Sequence, residues 1–410
     1  MSIIFIIIVT IIVADFLLES WLDFLNLKNL SEKLPEELRD LYDAQKYEKS
    51  QNYERVNNRF GMITGVFNLT LILSMLFLDG FAYVDGLAAQ ISAHPILHPL
   101  IFFAILGLAF ELLNIPFDIY DTFVIEQRFG FNKTTPALYV ADKLKGWALS
   151  IFIGGGLMAA ILWLYLQTTT FFWLWAWLLV TVFSLFMTFF YSSLIVPLFN
   201  KQKPLEDGEL KQKITSFAEQ AGFRLDKIFT IDGSKRSTKA NAYFSGFGRK
   251  KRIVLFDTLI NELTTDEIVA VLLHEIGHYR KKHITSSMIL SFVQTGIMLF
   301  IFSLFVSQPA LSQALGVQEA SFHIGLITFG IMYSPISLVI GLMMNSASRK
   351  NEFQADDFAA GFSMGNELIG ALKKLSINNL SNLTPHPVYV FFYYSHPTLL
   401  QRIKNLKEIS

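Results

Sequence analysis

The sequence predicts a mainly α-helical, polytopic membrane protein of about seven transmembrane helices, carrying a small cytoplasmic α+β unit. Three observations lead there. Seven apolar stretches approach or exceed the roughly 20 residues that a helix needs to cross a bilayer: 3–25, 62–84, 99–119, 147–167, 171–197, 285–307 and 321–344. Lysine and arginine concentrate in alternate connections between them. A polar, histidine-bearing helix, VLLHEIGHYRKKH at 271–283, directly precedes the sixth stretch. A single apolar run reads equally as a buried core helix, but seven in a chain that is 52% hydrophobic with 39 phenylalanines do not.

The first stretch reads as a retained span rather than a cleaved signal peptide. It lacks a basic leading region and a small-residue cleavage site, and it carries Asp15, Glu19 and Asp23. After it come Lys28, Lys33, Arg39, Lys46, Lys49, Arg55 and Arg59, whereas the connection around 85–98 has no lysine or arginine. The third connection holds Arg128, Lys133, Lys143 and Lys145; the fourth is a few Gln and Thr residues. Segment 200–284 is again basic, 308–320 is not, and 345–410 is. This alternation places the basic connections in the cytoplasm and the N-terminus outside. The net charge of zero hides the sidedness.

The chain has no cysteine, which excludes disulfides and cysteine-ligated zinc. No low-complexity tract, flexible linker or internal repeat appears. The expected organisation is five spans with their loops in 1–199, a catalytic segment in 200–284, two spans in 285–344, and a tail in 345–410. The two polar segments are each small for a domain and are expected to fold together.

Helical geometry gives the motif its chemistry. His274 and His278 are four residues apart, so both imidazoles face one ion. Glu275 points beside that ion, where it can take a proton from an activated water. Thr264 with Glu267 three residues on forms a capping box, and Ile268, Val269, Val271, Leu272 and Leu273 lead into the motif. The bland reading is a pair of surface histidines beside the basic run Arg280, Lys281, Lys282 and His283.

A catalytic zinc site requires a third protein ligand and an open position. SASRKNEFQADDFAAGF (346–362) offers Glu352 and Asp356, again four apart on a helical pattern. Glu352 is assigned to the metal and Asp356 to orienting a ligand imidazole; alone, the segment reads as a solvated acidic helix face. In YYSHPTLLQRI (393–403), His396 stands at a turn entering the last helix. It is either an oxyanion donor, with Arg402 in support, or a capping or packing histidine. KANAYFSGFGRKKRIVLFD (239–257) reads as two short strands about a glycine-containing turn, with Asn241 at the head of a strand able to pair with an extended peptide.

Taken in order, NAYFSGF, RIVLFDTL, HEIGHY, SRKNEFQAD and SHPTLLQRI resemble the type I CAAX prenyl endopeptidases, integral-membrane zinc metallopeptidases, over nearly the whole chain. The resemblance implies one Zn2+ held by His274, His278 and Glu352, with Glu275 as general base. It implies that Asn241, Asp356, His396 and Arg402 orient ligands, substrate or oxyanion. It also implies a chamber between the spans, and peptide or protein substrates cut after a prenylated cysteine.

Asp15, Glu19 and Asp23 share a face of the first span, and Glu111 and Asp118 share one of the third beside Asn114 and Pro116. Such charges face a water-filled cavity or pair with one another, though Asp23 and Asp118 read equally as interfacial. The Gly154–Gly156 run is expected to permit close helix packing. No Walker loop, dinucleotide fingerprint or nucleic-acid module occurs, so the expected partners are a peptide and membrane lipid, not nucleic acid. The competing readings are a quality-control protease for non-prenylated membrane proteins and a transporter with a vestigial metal site. The catalytic face is expected to be cytoplasmic, in the cell membrane of a bacterium or the endoplasmic reticulum of a eukaryote. The short, phenylalanine-rich chain without a lysine-rich retention tail leans to the former.

Overall fold

A computed structural model describes residues 2–30, 44–223, 225, 227–245 and 252–409. Lys33, Arg39 and the expected glycine-containing turn at 246–251 lie outside them. Among the described residues, seven helices are long and apolar enough to cross a membrane: Ile3–Asn29, Gln45–Phe77, Leu97–Phe129, Pro136–Thr168, Phe172–Phe199, His283–Phe305 and Phe322–Ala360. Each overlaps one predicted stretch, and the differences in extent have local causes. The second span ends at Phe77 because Asp79 takes a left-handed conformation (φ 53°), and a separate helix, Gly80–Ile91, begins there. The third, fourth and fifth pass through π-helical segments at Asp121–Glu126, Ser150–Gly155 and Tyr191–Ile195.

The seventh span departs most from expectation. It runs unbroken for 39 residues, about 58 Å at 1.5 Å per residue. A bilayer core is only about 30 Å thick. The surplus projects as a polar extension carrying Glu352 and Asp356, so helix and tail are continuous across residue 344.

Buried side chains gather at the two ends of the spans. None of the described side chains is buried at 9–21, 52–75, 103–124, 133–161, 177–191, 284–298 or 334–351. A solid bundle would press one face of each helix into a core; along these stretches the described side chains form no such core. One apolar end packs Phe102, Phe81, Ile8 and Ile324, with Phe172, Phe302 and Phe322 adjoining. The Gly154–Gly156 expectation is corrected: a Cβ on any of the three would meet nothing within 4 Å, because this part of the fourth span has no neighbour close by. Three of the membrane-depth carboxylates, Asp15, Glu111 and Asp118, find partners. Lys143 Nζ of the fourth span donates to Glu111 Oε1 (2.6 Å) and Asp118 Oδ2 (2.5 Å) of the third. Ser334 Oγ of the seventh donates to Asp15 Oδ2 of the first (2.9 Å).

At the other end sits the extramembrane unit. Its sheet has strands β1 (Gln202–Pro204), β2 (Lys227–Ile231), β3 (Ala242–Ser245) and β4 (Arg252–Phe256) in the order β1-β2-β4-β3. β2 and β4 are parallel and the outer pairs antiparallel, which leaves β3 at an edge. The apolar β4 residues Ile253, Val254 and Leu255 are fully buried and lead through helix Asp257–Glu262 into the motif helix, Thr265–Arg280. Its capping box forms as predicted, with Thr264 Oγ1 accepting from Glu267 N and Glu267 Oε2 from Thr264 N. Leu272, Leu273 and Ile276 pack with Leu368 of helix Gly365–Asn378 and with Ile403 and Leu406 of the C-terminal helix, Leu399–Ile409. Segments 200–284 and 345–410 thus share one core.

Two ion-pair clusters tie this unit to the spans. Arg236 donates to both oxygens of Asp142 (2.7 and 2.9 Å) and to Phe199 O (2.9 Å). Lys239 Nζ reaches Glu126 Oε2 and Tyr53 Oη, each at 3.0 Å, and lies over the Phe131 ring.

The motif helix meets the extension of the seventh span at Gly277. A Cβ there would lie 3.0 Å from Phe358 Cβ and 3.1 Å from Ala355 Cα. Gly277→Ala is therefore expected to force the helices apart and destabilise the fold by about 1–3 kcal/mol, with weaker metal binding. Thermal unfolding of the purified variant checks this; an unchanged or raised midpoint would refute the close-approach argument.

Candidate active site

The crossing at Gly277 brings three predicted ligands from two helices together. His274 Nε2 and His278 Nε2 are 3.2 Å apart. Glu352 Oε2 lies 3.4 Å from the first and Glu352 Oε1 3.2 Å from the second. Bonds of about 2.0–2.1 Å at tetrahedral angles separate ligand atoms by about 3.3 Å, so the trio has the spacing of a metal site. Glu352 Oε2 is buried and accepts no hydrogen bond. An orphaned carboxylate oxygen at that depth is costly, and a cation satisfies it. These residues fit a divalent metal.

The surroundings fix the imidazole tautomers. His274 is 6% exposed and its Nδ1 is 2.8 Å from Asp356 Oδ1, itself fully buried. Arg402 grips the same carboxylate, with Nε on Oδ2 (2.9 Å) and Nη2 on Oδ1 (2.5 Å). Nη2 also lies 3.2 Å from His274 Nδ1. Two donors cannot satisfy each other, so the shorter contact decides: Nδ1–H donates to Asp356 and Nε2 keeps its lone pair for the metal. Burial alone would lower the His274 pKa, but the adjoining Asp356 and Glu352 carboxylates outweigh it and raise the value above 6.5. In the metal-free site a proton therefore competes with the ion, most strongly at low pH.

His278 is set from behind by a chain that the sequence did not disclose. His283 at the head of the sixth span puts Nδ1 3.1 Å from His278 Nδ1, and its Nε2 is 3.0 Å from Gln354 Oε1. The amide oxygen can only accept, so His283 carries its proton on Nε2 and offers a bare Nδ1. His278 then donates from Nδ1, leaving Nε2 free for the metal. The signal was present as the histidine of RKKH, read only as part of a basic run.

The remaining candidates divide. His396 Nε2 is 3.3 Å from Glu352 Oε1 with its side chain 64% exposed, and Ser395 Oγ sits 2.9 Å from its Nδ1. It stands over the trio, not in a packed core. Arg402 turns to Asp356, 2.5 Å away, and lies 3.7 Å from Glu352 Oε2, instead of supporting His396. Glu275 is half-buried on the flank of the motif helix. Asn241 heads edge strand β3, but its Oδ1 accepts from Ala242 N (2.8 Å), so this arrangement does not turn it onto the trio. Two residues missed from sequence hold the strap that carries His396. Arg349 Nη1 donates to Tyr394 O (2.6 Å), and Asn345 Nδ2 to Phe392 O (2.9 Å).

Comparison with known proteins covers the chain end to end. Residues 23–201 match a family model described as the CAAX prenyl protease N-terminal region with five membrane helices, and 204–410 match peptidase family M48. CAAX prenyl protease 1 of Saccharomyces cerevisiae is 37% identical, over 97% of this chain and 94% of its own. The CAAX prenyl protease 1 homolog of Arabidopsis thaliana is 36% identical, over 97% and 96%. A crystal structure of S. mikatae Ste24p superposes with a TM-score of 0.92 at 36% identity, covering 99% of both chains.

His283→Ala removes the acceptor behind His278 and is expected to weaken metal affinity by about 10–100-fold. Competition with a chromogenic chelator measures it. Wild-type affinity in the folded variant would show that the His278 tautomer does not depend on His283.

Proposed function

Since the chain belongs to peptidase family M48 and is a membrane metalloendopeptidase, we propose that its metal is a single zinc ion and its substrates are peptides ending in a prenylated CAAX sequence. Cleavage on the C-terminal side of the prenylated cysteine is the reaction proposed. The observation that carries the mechanism is the convergence of His274, His278 and the orphaned Glu352 carboxylate on one point.

A zinc ion held there supplies Lewis acidity that polarises the scissile carbonyl and acidifies water. The protein's own groups do the rest. Glu275, next to His274 on the motif helix, takes the proton from the attacking water and passes it to the leaving amine. Edge strand β3 offers unpaired backbone groups to an extended substrate, with Asn241 at its start. His396 donates to the oxygen that gathers negative charge as the carbonyl is attacked. Asp356, gripped by Arg402, keeps His274 in its metal-binding tautomer.

Two features support a prenylated substrate. The catalytic unit sits at the end of spans whose middle stretches bury no described side chain, and a space between them would let an isoprenoid lie out of water while its peptide reaches the trio. The relatives that match over their full length are named as CAAX prenyl proteases. The basic connections support a cytoplasmic position for the catalytic unit.

Glu275→Gln is expected to retain zinc and lose about 10²–10⁴-fold in turnover; cleavage at the wild-type rate by the zinc-loaded variant would sink the proposed proton transfer. A farnesylated CAAX peptide and its unprenylated twin separate the substrate classes. The farnesylated peptide should be cut preferentially, and a chelator should abolish cleavage of both. Equal rates for the twins would reject the prenyl assignment while leaving the peptidase chemistry intact.

A further inference from the structure

A second cluster of metal-ligating side chains lies at the far end of the spans. Asp85 belongs to helix Gly80–Ile91, His98 to the first turn of the third span, and His323 to the first turn of the seventh. His323 is 29 residues before Glu352 on one helix, so the two clusters are about 45 Å apart. Three separate helices, the last more than 200 residues from the first two, aim their side chains at one point. Asp85 Oδ1 is 2.6 Å from His323 Nε2 and 2.8 Å from His98 Nε2. Asp85 O lies a further 3.1 Å from His98 Nε2. The imidazole pair matches the catalytic pair: ring centroids are 4.9 Å apart here and 4.8 Å there.

His323 offers one nitrogen to the cluster. The residue is 3% exposed and its Nδ1 is buried with no hydrogen-bond partner, whereas its Nε2 faces Asp85. An ion on Nε2 would leave the neutral ring's proton on Nδ1. His98 is one-fifth exposed and Asp85 slightly less, which leaves an entry path and room for water as a further ligand. Two neutral imidazoles and one carboxylate form a charge-minus-one, nitrogen-rich donor set of the kind that zinc and its neighbours prefer to calcium or magnesium. Among the described residues, only this trio and the catalytic one meet the spacing for three such ligands.

We propose that Asp85, His98 and His323 form a second, structural binding site for a divalent transition ion such as Zn2+, clasping three segments at the end of the spans opposite the catalytic unit. The ion takes the place of the Nε2 hydrogens that face Asp85, and each ring stays neutral by carrying its proton on Nδ1. The carboxylate then retreats by roughly half an ångström to reach the tetrahedral ligand spacing of about 3.3 Å. Its place in the molecule fits a clasp. The neighbouring apolar cluster of Phe102, Phe81 and Ile324 closes this end of the spans, and the His323 ring packs on Phe102 at 4.6 Å.

The test counts zinc in the full-length, detergent-solubilised protein. After dialysis against low-micromolar zinc, wild type should hold two equivalents, and the His278→Gln/Glu352→Gln variant, lacking its catalytic site, one. Adding Asp85→Asn and His98→Gln to that variant should remove the last equivalent. Cobalt loaded into the His278→Gln/Glu352→Gln protein should give the intense visible absorption of a four-coordinate nitrogen–oxygen site. One equivalent in wild type and none in the catalytic-site variant would overturn the proposal, as would two equivalents that survive Asp85→Asn/His98→Gln in the otherwise wild-type chain. The latter comparison leaves the catalytic ligands and the buried His323 untouched, so it stands even if the catalytic-site variant does not fold.

Discussion

The molecule depends on one close crossing. At Gly277 the motif helix lies against Ala355 and Phe358 of the seventh span's extension with no room for a β-carbon. That contact brings two histidines from one helix and a glutamate from another to the spacing of a metal site. Two features make the crossing possible. The seventh span outruns the bilayer and presents Glu352 and Asp356 beyond it. The core of Leu272, Leu273, Ile276, Leu368 and Ile403 holds the motif helix against that extension. The catalytic centre is therefore built across the boundary between membrane and water.

Around the crossing, hydrogen bonds decide which nitrogen faces the metal. Arg402 charges and fixes Asp356, Asp356 takes the Nδ1 proton of His274, and Gln354 acts through His283 to do the same for His278. Each link removes one wrong protonation state of a ligand that must be neutral to bind. The same chemistry can operate at the opposite end, where a carboxylate and two imidazoles meet without a network behind them. The seventh span carries a ligand of each cluster and so mechanically joins the closed end to the catalytic end.

Most of the site was legible because its signals are local. Spacing of four residues placed His274 with His278 and Glu352 with Asp356, and the capping box marked where the motif helix starts. Apolar runs located the spans, although π-helical segments and the left-handed Asp79 moved their ends. The sparse burial along the middle of the spans left no trace in hydropathy, because packed and unpacked apolar faces read alike. Distance in sequence hid the rest. Nothing local links Gln354 to His283, Asp85 to His323, or Arg349 to the backbone that carries His396. The Gly154–Gly156 run misled for the opposite reason: a familiar local pattern had no neighbour to pack against.

The central claim is that His274, His278 and Glu352 hold one metal between them. Anomalous diffraction at the zinc edge, from crystals of the zinc-loaded protein, tests it most directly. A peak about 2.0–2.1 Å from both Nε2 atoms and from a Glu352 oxygen is the expected result. Zinc-loaded crystals with no anomalous density among those three side chains would contradict it.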